Sequence, residues 1–200
     1  MCDKNKEAVK YARDTGNFVF INTARSLSII PPMVSEIEYD GYVTALGCNI
    51  LYDGKTIFDA PMPIEEAAGL LDYFKKTGRI VHLEGDKVFV SDFEENIPEA
   101  VTVETGEELI QKYTGYNFPK FYLPHVLTED EIATLSKKYN FYQHDNYAEF
   151  CIKGNNKATG IKKVMDYLGL DMSQSVAMGD SLNDTEMLMG AGISIAMGDG

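Results

Sequence analysis

The segment Val176 to Met189 constrains this 200-residue chain most, because an apolar strand, a polar turn and a helix follow one another within it. Residues 175–178 are predicted to form the strand, and residues 185–189 the start of the helix. Asp180 and Asp184 lie on the turn between them. In an open parallel sheet, ligands bind at the carboxyl ends of the strands, and carboxylates are oxygen ligands that Mg²⁺ takes. The segment therefore predicts an α/β fold with a cation site on this turn, or else a carboxylate that caps the helix.

The charge balance of the chain restricts its partners. The net charge is −13 and the sequence pI is near 4.6, with 44% hydrophobic and 24% charged residues. Nucleic acids and anionic membranes both require basic protein surface, so neither is an expected partner. A phosphorylated substrate would also be repelled by most of the surface, so that a phosphate site would need local cations.

Cysteine usage and hydropathy indicate a cytoplasmic protein. Cys2, Cys48 and Cys151 are too few and too scattered for a disulfide framework, and they suit a reducing compartment. No apolar run approaches the roughly 20 residues that cross a bilayer, and no signal-peptide pattern opens the chain.

Two polar residues outside the opening segment are candidates for a phosphate site. Residues 17–22 form a short continuous apolar run that predicts a buried parallel strand, and Thr23 follows at its carboxyl end. The hydroxyl of Thr23 and the backbone N–H groups after it could hold a phosphate oxygen, or Thr23 could merely end the strand. Lys157 begins a predicted helix, where the macrodipole disfavours a cation. A nearby acid or a bound anion would explain Lys157, and a solvated surface lysine is the alternative.

The middle of the chain, residues 61–149, is predicted to be an α+β insertion. A helix over 64–76 precedes strands at 79–83 and 87–90, and capping boxes at Thr105 and Thr128 open helices near 106–114 and 129–138. Further strands are expected at 120–123, 140–143 and 148–152. The many aromatic residues of this insertion could form a stacking platform, but at this spacing they are more typical of a core.

Four segments resemble, in order, motifs of the haloacid dehalogenase superfamily, in particular its Cof-type phosphatases with a C2-type cap. Gly179-Asp-Ser-Leu-Asn-Asp184 with Glu186-Met187 is similar to the fourth motif of that family. Phe20-Ile-Asn-Thr-Ala-Arg-Ser26 is similar to the second motif, and Lys157-Ala-Thr-Gly-Ile-Lys-Lys163 is similar to the third. Ile195-Ala-Met-Gly198 is similar to the stretch that follows the fourth motif.

The resemblance implies a fold and a reaction. The fold would be a Rossmann-like core from residues 1–60 and 150–200, incomplete at both ends, with residues 61–149 inserted as the cap. The reaction would be Mg²⁺-dependent hydrolysis of phosphate monoesters of small metabolites, with sugar phosphates favoured, through an aspartyl-phosphate intermediate. The cap would exclude water and choose the leaving group.

The resemblance also implies roles for the residues that match the motifs. Asp180 would bind the metal, and Asp184 would support the metal or orient Lys157. Thr23 and Lys157 would grip the transferring phosphoryl group. Asn183 would bond to the surrounding loop or to the phosphate.

Three further residues would lie near the substrate by the same resemblance. Ala24 replaces the usual glycine, so that a close approach of the backbone to phosphate is expected to be weaker. Arg25 could reach the substrate or the cap. Glu149 coincides with a glutamate that the family often carries in the cap near the substrate, and a solvent-facing strand residue is the alternative.

One motif of the family is absent. The pattern Asp-x-Asp-Gly-Thr, which would supply the nucleophile and the proton shuttle on a central strand, occurs nowhere in the chain. We expect facing strand edges of the core to remain unpaired without that strand. The chain is therefore interpreted as a truncated and inactive piece of a phosphatase. The alternative is a natural short module that binds a phosphorylated ligand or a partner without catalysis.

Overall fold

The computed structural model describes residues 3–92 and 99–198. The helices are α1 (Asp3–Asp14), α2 (Pro32–Ser35), α3 (Ile64–Lys76), α4 (Gly106–Tyr113), α5 (Glu129–Leu135), α6 (Lys157–Leu168) and α7 (Thr185–Gly190). The strands are β1 (Phe20–Asn22), β2 (Gly41–Thr44), β3 (Asn49–Tyr52), β4 (Lys55–Asp59), β5 (His82–Glu84), β6 (Val88–Val90), β7 (Val101–Thr102), β8 (Lys120–Leu123), β9 (Tyr139–Gln143), β10 (Ala148–Ile152), β11 (Val176–Gly179) and β12 (Ile193–Ala196). None of the helices in these ranges has the length and apolar character needed to cross a bilayer.

The strands form three mixed or parallel sheets, which confirms the predicted α/β class. A four-stranded sheet has the order β1-β2-β3-β4, a six-stranded sheet the order β7-β6-β5-β8-β10-β9, and β11 pairs with β12. The pairs β1–β2, β6–β7 and β11–β12 are parallel, and the other pairs are antiparallel. Strand β10 continues the six-stranded sheet to Ile152. The division of the chain at residues 60/61 and 149/150 stays a prediction.

The six-stranded sheet carries a large apolar core on one face. Leu83, Phe121 and Phe150 are direct neighbours across β5, β8 and β10, and all three are fully buried. Leu71 and Phe74 of α3 are in the same cluster. Burying one such side chain contributes about 1.5–3 kcal/mol. Most of the aromatic residues of the insertion belong to this core or pack against it, as predicted.

The segment between β1 and β2 is divided into short turns of helix. A 3₁₀ turn at Leu27–Ile29 is followed by α2. Ile30 and Pro31 between them are extended, with ψ of 124° and 139°. A residue before proline is pushed out of the helical region, so the consecutive prolines at 31 and 32 interrupt the helix. Strand β1 begins only at Phe20 and is half-buried rather than buried.

Strands β1 and β11 lie at the edges of their sheets. Each has one strand neighbour within the described part of the chain. Val176 and Met178 of β11 lie opposite Ile193 and Ile195 of β12 on one face, and these four side chains are 42–64% exposed. The β11–β12 pair therefore presents an apolar face to solvent, whereas parallel sheets are normally covered on both faces.

Candidate functional site

The first turn of α6 is fixed by a cap and by a close packing contact. Asn156 caps the helix by accepting from the Thr159 backbone N–H at 2.7 Å, and Thr159 Oγ1 accepts from the Asn156 N–H at 2.9 Å. A Cβ atom on Gly47 would overlap the Asn156 carbonyl oxygen, so the helix start lies directly against the turn at residues 45–47. These contacts define the position of Lys157, the first residue of α6.

Lys157 is buried among acceptors. Its Nζ donates to Asn183 Oδ1 and to Asp184 Oδ1, both at 2.6 Å, and the residue is only 7% exposed. The alternative of a solvated surface lysine is therefore wrong. Asp184 is the local acid that the macrodipole argument requires for a cation at a helix start. An ammonium group has three N–H donors, so two of the three are directed at these acceptors.

Asp184 organises the turn after β11. Its Oδ2 accepts from the backbone N–H groups of Asp180 at 3.2 Å and Ser181 at 3.1 Å, while its Oδ1 faces Lys157. The side chain makes no capping bond to α7 itself, but it takes part in the capping box of the 3₁₀ turn Leu182–Asp184 that leads into α7. A Cβ on Gly179 would overlap the Asp184 side chain, which explains a glycine at the end of β11.

Thr23 lies at the carboxyl end of β1, close to the start of α6. Its neighbour Asn22 donates through Nδ2 to the Lys157 carbonyl oxygen at 3.0 Å. Thr23 N–H donates to the Val43 carbonyl at 2.8 Å, and Thr23 Oγ1 accepts from the Arg25 N–H at 3.1 Å. Hydrogen bonds thus join Asn22, next to Thr23, to Lys157. Asp184 in turn contacts both Lys157 and the backbone of Asp180.

The loop at residues 23–25 is held by a strained turn that sequence reasoning missed. Ala45, Leu46 and Gly47 have φ of 50°, 57° and 81°, which is the left-handed region. The Ala45 N–H donates to the Arg25 carbonyl at 2.8 Å, and the Leu46 N–H donates to the Thr23 carbonyl at 3.4 Å. A left-handed non-glycine residue costs about 1–3 kcal/mol. Only Gly47 was a sequence signal for this turn.

Ala24 and Arg25 have different surroundings. Ala24 packs against the buried cluster of Ala45, Leu46, Cys48 and Cys151, which ties the loop to the apolar interior. Arg25 is exposed. Burial raises the pKa of Tyr147 beside β10, and the positive charge of Arg25 is near enough to oppose that shift.

Glu149 points from β10 into a buried polar cluster, so the alternative of a solvent-facing residue is wrong. The residue is 7% exposed. Its Oε1 accepts from Lys120 Nζ at 2.5 Å, and its Oε2 is 3.5 Å from Asn183 Nδ2 and 3.8 Å from His144 Nε2. Lys120 Nζ also donates to Glu84 Oε2 at 3.1 Å. Burial disfavours the Lys120 ammonium, but the two carboxylates outweigh burial and raise the pKa of Lys120.

Lys120 was not among the sequence candidates, although a signal for it exists. It directly opposes Glu84 in the β5–β8 register, and a charged pair across two apolar strands indicates a buried ion pair. In residues 3–92 and 99–198, which include Asp180 and Asp184, no group of three or more His, Cys, Asp or Glu side chains is arranged to hold a metal ion.

Several relatives found by comparison with known proteins are phosphatases. A family model described as haloacid dehalogenase-like hydrolase matches residues 1–200. A provisionally named bifunctional phosphatase/peptidyl-prolyl cis-trans isomerase of Streptococcus pyogenes is 29% identical over 205 residues, which is 99% of this chain and 44% of that protein. The 5-amino-6-(5-phospho-D-ribitylamino)uracil phosphatase YcsE of Bacillus subtilis is 25% identical, with 98% of this chain and 76% of that protein covered. The pyridoxal phosphate phosphatase YbhA of Escherichia coli is 26% identical, with 96% and 79% covered.

Solved structures share the fold. The phosphatase BT1666 from Bacteroides thetaiotaomicron superposes with a TM-score of 0.84 at 24% identity, covering all of this chain and 77% of that one. The sugar phosphatase BT4131 gives a TM-score of 0.79 at 23% identity, covering 99% and 80%. The chain therefore spans less than half of the streptococcal relative and about four-fifths of the last of these structures.

Proposed function

The chain belongs to the haloacid dehalogenase-like hydrolases, and we propose that it forms the phosphate-binding part of a Mg²⁺-dependent phosphatase for small phosphorylated metabolites. Residues 61–149 would be the cap that selects the leaving group, with sugar phosphates as the favoured class. The enzyme would work in the cytoplasm. The observation that carries the proposal is the buried contact of Lys157 with Asp184 and Asn183 beside the ends of β1 and β11.

Lys157 and Thr23 are the proposed grip on the phosphoryl group. Asp184 and Asn183 fix the Lys157 ammonium, so that its remaining N–H can meet a phosphate oxygen without reorganisation. A charge-assisted hydrogen bond from a fixed ammonium is about twice as strong as a neutral one. Thr23 Oγ1 already accepts from Arg25 N–H, which leaves its O–H proton for a phosphate oxygen.

Asp180 is the proposed Mg²⁺ ligand. Both oxygens of Asp184 already accept hydrogen bonds, whereas the Asp180 side chain is exposed at the end of β11. Mg²⁺ commonly uses one or two carboxylates together with waters and substrate phosphate, so this donor set fits the ion. Asp184 would support the site by holding the Asp180 backbone. When bound, Mg²⁺ would offset the negative charge between the carboxylates and the phosphate.

We further propose that these 200 residues bind phosphate without hydrolysing its esters. Formation of an aspartyl-phosphate needs a carboxylate nucleophile and a second carboxylate for proton transfer, and the chain has no Asp-x-Asp-Gly-Thr segment to supply them. The second candidate is a module that binds a phosphorylated ligand without catalysis, and the buried Lys157 contact would serve that role as well.

The two candidates are separated by assaying hydrolysis of p-nitrophenyl phosphate with and without Mg²⁺. We expect no turnover by this chain, and Mg²⁺-dependent turnover by a form extended at its N-terminus with an Asp-x-Asp-Gly-Thr strand. Binding of inorganic phosphate to this chain should fall at least tenfold in Lys157→Ala, by the loss of a charged hydrogen bond, and should not change in the exposed control Lys162→Ala. Turnover by the unextended chain would contradict the proposal, and phosphate binding without turnover in both forms would favour the binding module.

A further inference from the structure

A continuous row of buried polar groups connects the six-stranded sheet to Lys157. Glu84, Lys120 and Glu149 lie on β5, β8 and β10 and are 4%, 1% and 7% exposed. Glu149 faces Asn183 on the turn after β11, and Asn183 faces Lys157. Burying this many charged groups is costly unless each one is paired. The proposed function uses only the end of the row, so the part in the sheet needs another explanation.

The orientation of the Asn183 carboxamide is set by its neighbours. An ammonium group only donates, and Lys157 Nζ is 2.6 Å from Asn183 Oδ1. Ser181 Oγ lies 3.1 Å from the same oxygen. Asn183 Nδ2 must therefore point the other way, toward Glu149 Oε2 at 3.5 Å. If the carboxamide turned over, a donor would face the Lys157 ammonium.

Both oxygens of Glu149 are engaged within the protein. Oε1 accepts from Lys120 at 2.5 Å, and Oε2 faces Asn183 Nδ2 with His144 Nε2 further away at 3.8 Å. Glu84 holds Lys120 from its other side at 3.1 Å. A carboxylate can receive donors at two oxygens at once, and Glu149 uses one for the sheet and one for the turn.

We propose that Glu149 and Lys120 are positioning residues that set the direction of Lys157 through Asn183. Lys120 fixes the Glu149 carboxylate, Glu149 holds the Asn183 amide nitrogen, and the Asn183 oxygen then faces Lys157. Neither residue contacts the substrate in this assignment. The proposal rests on the proposed function, because Lys157 is taken as the phosphate-binding group.

Glu149→Gln tests the link with a minimal change of shape. Glutamine offers one oxygen and one N–H₂ group, so if the oxygen accepts from Lys120, an amide donor faces the Asn183 amide donor. We expect the Asn183 side-chain NH₂ resonances and the Lys157 Nζ resonance to shift in NMR spectra. We also expect inorganic phosphate to bind about tenfold more weakly by calorimetry, as for loss of one charged hydrogen bond.

Glu84→Gln is the matched control. Like Glu149→Gln, it removes one negative charge that contacts Lys120. It leaves the contact between Glu149 and Asn183 in place. We expect phosphate affinity and the Asn183 resonances to stay within about twofold and near their original positions. Equal effects of the two variants would overturn the proposal, because the cluster would then act only through its charge.

Two further results keep the test decisive. If Glu149→Gln does not fold, Glu149→Asp keeps the charge while its shorter side chain withdraws from Asn183, and the same shifts are expected. If the original chain binds no phosphate, the proposed function fails, but the Asn183 and Lys157 resonances still report whether Glu149 orients them. Unmoved resonances in a folded Glu149 variant would overturn the inference alone.

Discussion

Glu131 shows how a single buried carboxylate stabilises this acidic protein. The residue is 8% exposed and accepts from the Thr128 N–H and Oγ1 at 2.8 Å each and from Arg79 at 2.6 and 2.8 Å. Burial alone would raise the pKa of Glu131, but the Thr128 and Arg79 donors outweigh burial and hold it below the ordinary value of 4.5. Because the pKa is lower in the folded state, this stabilisation is present above about pH 4.5 and is lost as pH falls.

Glu131→Gln should therefore destabilise the protein in a pH-dependent way. Glutamine can keep the capping box, so the change mainly removes the charge that Arg79 and Thr128 meet. We expect the free energy of unfolding to fall by about 1.5–3 kcal/mol at pH 7, with a smaller difference at pH 3, in urea titrations. Glu129→Gln, at an exposed position of the same helix turn, is the control. A difference for Glu131→Gln that does not depend on pH would contradict the assigned role of its charge.

Among the candidate site residues, Lys157 was the one that broke a local rule of helix formation. Lys157 was a candidate because a cation at a helix start needs an acid, and Asp184 is that acid. The sequence could not separate the roles of Asp180 and Asp184, since only the structure shows that both Asp184 oxygens accept hydrogen bonds. Lys120 was missed because a single lysine in a strand is typical of a surface residue.

At the scale of elements, the contact of the 45–47 turn with α6 sets the position of the site. Gly47 combines a φ of 81° with a place where a Cβ would overlap the Asn156 carbonyl oxygen. The overlapping atoms of Asn156 belong to the backbone, so they cannot move aside as the end of a flexible side chain would. The turn also holds the carbonyl groups of Thr23 and Arg25, so a displacement would move both halves of the proposed phosphate grip.

Gly47→Ala should cost more than backbone strain alone. We expect the free energy of unfolding to fall by about 1 kcal/mol from the left-handed φ, and by about 1–3 kcal/mol more from the overlap with Asn156. Gly54→Ala is the control, because Gly54 has a φ of 69° with no atom within 4 Å of the added Cβ. Urea unfolding measures both variants, and equal losses would show that the Asn156 contact is unimportant.

Regular elements were more predictable than irregular ones. Helix α3 and strands β8 and β10 have the predicted limits, because their apolar spacing matches the helix or strand period. The 45–47 turn was not predictable in detail, since alanine and leucine carry no propensity for the left-handed region. Burial of Leu46 in the cluster with Ala24 and Cys151 accompanies that conformation and depends on residues far apart in sequence.

At the scale of the whole molecule, two opposed properties control association. The net charge of −13 makes copies of the chain repel each other. The β11–β12 face presents Val176, Met178, Ile193 and Ile195 to solvent, and a parallel pair with an open apolar face favours association. Salt screens the repulsion and leaves the apolar attraction, since the Debye length falls from about 10 Å at 0.1 M to about 3 Å at 1 M salt.

Self-association should therefore increase with salt and depend on the β11–β12 face. We expect the apparent mass in light scattering to rise between 0.05 and about 0.5 M NaCl for the original chain and to rise much less for Met178→Glu. Tyr11→Glu on α1 is the control, because Tyr11 is 72% exposed and Met178 is 64% exposed, so both substitutions add one charge at an open site. Neither should change the free energy of unfolding by more than about 0.5 kcal/mol. If both variants suppress the rise equally, added charge rather than the β11–β12 face would control association.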